Sequence, residues 1–187
     1  MNRLGRPAVG SRSPAAARAP PSPDHRDMTI DPIPQVGISR IIGLLEVLDD
    51  AGGRYDVFRL ARDINFEFGE ILRVIKAAEL LGLVETPGAD VVLTSTGSQM
   101  LRARINNRKK LLKQQIKKLS IFRAVVDGLV RTESKRADED AFLEIFALHL
   151  PAEDSEALLK TVIDWGRYAE LLGYSPDDQE LYLDQVD

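Results

Sequence analysis

The sequence predicts a mainly α fold with small β-hairpins (α+β), built as two similar units in tandem. Three observations predict it. From Val36 onward apolar residues recur at i, i+3, i+4 and i+7, the period of a helix with one buried face. Two of the resulting long helices are each followed by short β-branched or aromatic runs around a turn, the mark of a hairpin. Those two helices also close on the same five residues, Ala78-Glu79-Leu80-Leu81-Gly82 and Ala169-Glu170-Leu171-Leu172-Gly173, 91 positions apart.

The elements follow in order. Residues 1–35 carry seven of the ten prolines, mixed with Ala, Ser, Gly and five arginines, and read as a disordered Pro/Arg-rich tail or as sequence ahead of a start at Met28. Up to Asp24 the tail has four arginines and no acid, the charge bias of a transit peptide, yet no amphipathic pattern or apolar h-region accompanies it. Ile38, Ile41, Ile42, Leu45 and Leu48 mark the first helix, which Gly52-Gly53 stops. A short helix follows near 57–63, then a longer one over 67–81 with Ile71, Val74, Ile75, Ala78 and Leu81 inward. Residues 83–85 and 91–94 flank a Pro-Gly turn and form a hairpin. Three helices and a hairpin are the order of a winged helix–turn–helix, here over 36–96.

A basic connecting helix is expected over 97–118, with Leu101, Ile105, Leu112 and Ile116 on its stripe. The second unit, 119–187, repeats the order. Its helices fall at 119–130, at 141–150 and after Pro151, the last with Glu153, Asp154 and Glu156 where acids suit the positive helix end. Trp165 lies on the inner stripe of that helix as a core residue, and Gly166 beside it leaves room for a neighbouring helix. A turn at 175–178 leads into a strand at 180–183.

The composition argues against an enzyme. There is no cysteine, so disulfides, thiolate metal sites and thiol catalysis are excluded. The two histidines, His25 and His149, stand far apart, which removes most imidazole chemistry. Neither G-x-x-x-x-G-K-[ST] nor G-x-G-x-x-G occurs, and the G-x-S-x-G elbow is absent. Asp49-Asp50 and Asp177-Asp178 sit at helix ends and turns, where Asp bonds local backbone. No apolar run reaches the roughly 20 residues of a membrane helix. No catalytic, cofactor or metal residue is assigned.

Charge is more informative. The formal net charge of −4 conceals a division along the chain. Between Ser98 and Lys118 lie eight cations and no acid: Arg102, Arg104, Arg108, Lys109, Lys110, Lys113, Lys117 and Lys118. From Asp138 onward fourteen acids face only Lys160 and Arg167. Eight like charges on one segment repel unless something screens or pairs them. The basic residues are therefore the candidate partner-binding face, for an acidic protein surface, a nucleic-acid backbone or the chain's own acidic second unit. In the last case the two units are docked electrostatically. Reading DNA with the third helix requires Arg, Lys, Asn or Gln outward. The first unit offers Arg73 and Lys76 among Glu67, Glu70 and Glu79, and the second offers mostly acids.

Several strings carry a family resemblance. Pro32-Ile33-Pro34 through Gly43-Leu44-Leu45-Glu46, Tyr55-Asp56-Val57-Phe58-Arg59-Leu60-Ala61, Ala77 to Leu83, and Asn107-Arg108-Lys109-Lys110-Leu111-Leu112 resemble the AAA-associated C-terminal domain. The clearest string is Ile163-Asp164-Trp165-Gly166-Arg167-Tyr168-Ala169-Glu170-Leu171. The resemblance covers about residues 32–184. It implies an accessory domain of the ATPase subunit of nitrate-, sulfonate- or taurine-type ABC importers, without catalytic residues or cofactor. The ATPase's phosphate loop and signature motif are not in this sequence, so nucleotide hydrolysis does not carry over. The expectation is a non-catalytic regulatory protein–protein module, cytoplasmic, at the inner face of the membrane through a transporter complex. The alternative is a DNA-binding transcriptional regulator using the first winged helix and the basic segment.

Overall fold

The computed structural model describes residues 29–64 and 66–184. The first unit runs α1 (Ile38–Asp50), β1 (Arg54–Asp56), α2 (Val57–Asp63), α3 (Phe68–Leu80), β2 (Val84–Glu85) and β3 (Asp90–Leu93). After α4 (Ser95–Arg102) and α5 (Ile105–Ile116), the second runs α6 (Ser120–Val130), β4 (Arg136–Asp138), α7 (Glu139–His149), α8 (Ser155–Tyr168), β5 (Leu172–Ser175) and β6 (Glu180–Leu183). The mainly α fold with small antiparallel hairpins is therefore observed.

Each hairpin gains a third strand that the sequence reading did not place. The sheets are ordered β1-β3-β2 and β4-β6-β5, both antiparallel, with the third strand of each unit in the middle. Tyr55 faces Val91 and Ala137 faces Leu181. At three residues each, β1 and β4 are too short to show a period.

The repeat is real, but its register differs from the five-residue match. Equivalent backbone bonds are made in both units. Leu83 N–H donates to Ala78 and Leu171 N–H to Gly166, each at 2.9 Å. Val57 N–H donates to Ala89 at 2.9 Å, and Glu139 N–H to Gln179 at 2.8 Å. These bonds pair Leu83 with Leu171, 88 positions apart rather than 91. The left-handed residue that ends α3 is Gly82 (φ 67°), and its counterpart after α8 is Glu170 (φ 54°). Gly173 lies instead inside β5, where an added Cβ would come 2.1 Å from the Tyr182 ring. Gly166 makes room for Leu172 rather than for a helix, because a Cβ there would meet that side chain at 2.7 Å.

The expected single helix over 97–118 is broken. Ala103 (φ −71°, ψ 142°) and Arg104 (φ −62°, ψ 156°) are extended, so α4 and α5 are separate helices. Ile105, assigned to the buried stripe, is 55% exposed at the start of α5. The break lets α4 bury Met100 against α1 while α5 turns Leu112 and Ile116 toward α8. Thr94 caps α4, its hydroxyl accepting from Gly97 N–H at 3.0 Å.

A second correction concerns the tail. Residues 1–28 lie outside the described residues, but the stretch from Thr29 is packed. Ile30, Ile33 and Val36 are buried and join a core shared by both units. The boundary at 35 therefore moves toward the N-terminus by at least the stretch from Ile30.

Candidate partner-binding site

The eight basic residues divide by what the fold does with them. Arg108 is spent on the break: its guanidinium donates to the carbonyls of Met100 and Leu101, each at 3.1 Å. These are carbonyls at the end of α4 that lack helical partners, and a cation there also suits the negative helix end. Lys109 pairs with Glu170 across the units at 2.7 Å. Lys113 is half-buried on the same side and lowers the pKa of Glu170 together with Lys109 and Lys110. Arg102, Arg104, Lys110, Lys117 and Lys118 are exposed and form no ion pair among the described residues. Lys118 donates to Gln115 at 2.9 Å.

Glu170 has its carboxyl held below the usual range, chiefly by the hydrogen bond from Lys109. Its contribution to the folded state is therefore present above the ordinary carboxylate range and fades as pH falls through the lowered value. Side-chain exposures of 28% for Lys109 and 41% for Glu170 keep this pair in the modest class of surface ion pairs.

The seam between the units is mostly apolar. Trp165 is fully buried, stacks on Phe122 with centroids 6.3 Å apart, and donates Nε1–H to the Val36 carbonyl at 2.7 Å. The Ile38 amide, at the uncapped start of α1, donates to the Asp164 carboxylate of α8 at 3.4 Å. Ser120 and Asp31 bond reciprocally, with the Asp31 amide donating to the hydroxyl at 2.8 Å. Among the described residues the expected electrostatic docking is represented by the Lys109–Glu170 pair, with Lys113 and Lys110 nearby, and it lies beside a buried core. Raising salt to about 1 M, where the Debye length is roughly 3 Å, is expected to leave the radius of gyration unchanged in small-angle scattering. Expansion would show that charge holds the units together.

Elsewhere the described residues hold no group of three His, Cys, Asp or Glu placed to bind a metal. The Nε2 of His149 is buried without a hydrogen-bond partner among them. No helix among them is long and apolar enough to cross a membrane.

The model of the family described as C-terminal AAA-associated domain matches residues 58–175, more than half of the 187-residue chain. The chain belongs to this family. The AAA-associated match runs from α2 to the end of β5 and takes in α4, α5 and the Lys109–Glu170 pair, while α1 and the packed segment before it fall outside. No curated protein and no solved structure matches the chain.

Proposed function

We propose that this AAA-associated chain is a non-catalytic accessory module. In this reading the two units are winged helices locked into one body. The exposed cations of α4 and α5 dock an acidic surface of a partner ATPase, namely the ATPase subunit of a nitrate-, sulfonate- or taurine-type ABC importer, in the cytoplasm. The helix order and three-stranded sheet of each unit support the winged-helix assignment. The observation that carries the docking role is that Arg102, Arg104, Lys110, Lys117 and Lys118 stay exposed and unpaired by any described acid, although the chain carries 29 acids. A face kept free of its own counter-charges is suited to steer an acidic partner.

DNA reading is the weaker assignment. The exposed Arg73 and Lys76 of α3 stand beside Phe68 and Leu72, both 42% exposed, with Lys76 paired to Glu79, and the exposed Lys160 and Arg167 of α8 stand among Glu156 and Asp164. Cations interleaved with apolar and acidic side chains are poorly suited to base edges and phosphates.

The test is a calorimetric titration of the importer ATPase subunit at about 0.15 M salt. Combining Arg102→Glu, Arg104→Glu and Lys110→Glu should weaken binding at least about tenfold, as should 1 M salt. Absence of binding to the ATPase would overturn the reading. Tight duplex-DNA binding lost on the same reversal would replace it with the DNA-binding alternative.

A further inference from the structure

The first unit exposes an apolar surface that neither the core nor the basic face uses. Phe58 on α2 is 65% exposed and stacks on Phe68 of α3, with centroids 5.1 Å apart and planes within 5°. Leu72, one turn further along α3, continues the slab at 42% exposure. Three large apolar side chains in one outward patch are unusual on a soluble monomer and mark a contact surface. Aromatic residues are the type enriched at interface centres.

The surrounding charge says what fits there. From Val57 to Leu80 there are four cations (Arg59, Arg62, Arg73, Lys76) and four acids (Asp63, Glu67, Glu70, Glu79). Several are already paired locally: Arg62 with Asp63 at 3.1 Å, Lys76 with Glu79 at 3.2 Å, and Glu70 with Arg40 of α1 at 3.6 Å. A two-fold interface sets the same patch against itself, so a rim of one sign repels its copy and a balanced rim does not. The corresponding surface of the second unit, from Glu139 to Tyr168, has seven acids against Lys160 and Arg167 and fails that condition. In the repeat register Asp140 and Glu156 stand where Phe58 and Phe68 stand in the first unit.

We propose that the Phe58–Phe68–Leu72 face is a self-association surface whose occupant is the same face of a second copy, giving a two-fold dimer through the first units. This surface is independent of the basic residues and leaves them open to a different partner.

Sedimentation equilibrium of the full chain tests it. The expected result is a concentration-dependent mass rising from 20.8 kDa toward twice that value. Phe68→Glu should weaken the dimer by about 30-fold or more, the scale of an interface hot spot, with the helical circular dichroism retained. Mixing Phe68→Glu with Phe68→Lys protein should restore association, which a misfolded variant would not do. A mass that stays monomeric at every concentration the solubility permits overturns the proposal. So does a dimer that persists in both Phe68→Glu and Leu72→Glu. Self-association abolished by reversing Arg102, Arg104 and Lys110 instead would also overturn it by moving the interface to the basic face.

Discussion

A chain that begins at Gly37 is expected to melt at least about 10 °C below one that begins at Thr29. Removing the intervening residues takes Ile30, Ile33 and Val36 out of a core in which each is under 8% exposed. Full burial of such side chains is worth about 1.5–3 kcal/mol each, an upper estimate because unfolded chains already bury some surface. The truncation also takes the Val36 carbonyl away from the buried indole N–H of Trp165, and an unsatisfied buried donor costs a further 1–3 kcal/mol or so. At about 2–4 °C per kcal/mol for a protein of this size, the sum is a large shift. The sequence alone leads to the opposite expectation, that everything up to residue 35 is dispensable. Equal melting of the two chains in calorimetry would restore that boundary.

Trp165→Ala is expected to cost about 3–5 kcal/mol, the range for deleting a buried aromatic, and so to lower Tm by about 10 °C or more. The indole is fully buried between Phe122 and the segment before α1, so its loss leaves a cavity at the junction of the units rather than within one of them. Trp165→Phe keeps most of the volume and loses the bond to Val36, and should fall between the two. Unfolding should remain a single transition in wild type, since one core runs through both units. A Trp165→Ala protein that melts at the wild-type temperature would contradict the assignment of this residue to the seam.

The helices were legible because amphipathic periods of ten residues and more leave many coincident positions. Ile38, Ile41, Leu45 and Leu48, and Leu158, Val162 and Trp165, are buried as their spacing requires, while Ile42 is half-buried. What escaped was short or specified from elsewhere in the chain. The packed segment before α1 spaces Ile30, Ile33 and Val36 by three with prolines between, which is neither a helical nor a strand period. The break at Ala103 carries no Gly or Pro. Its stabilising partner, Arg108, acts from eight residues ahead through a bond to Met100 that periodicity does not register. The five-residue identity between the repeats misled by three positions, nearly one helical turn, so both registers preserve the same apolar face. At the candidate site, the run of eight cations was plain in the sequence. Which of them are consumed by Glu170 and by the end of α4 required the fold.

The docking face proposed for an acidic partner consists of the exposed cations of α4 and α5. Lysine acetylation followed by mass spectrometry, with and without the importer ATPase subunit, tests that role. Lys110, Lys117 and Lys118 are exposed in the free chain and should react readily there. On adding the ATPase they are expected to become protected, while Lys160 of α8, exposed and outside the basic segment, keeps its free-chain rate. Unchanged labelling of Lys110, Lys117 and Lys118 in a complex that demonstrably forms would contradict the claim.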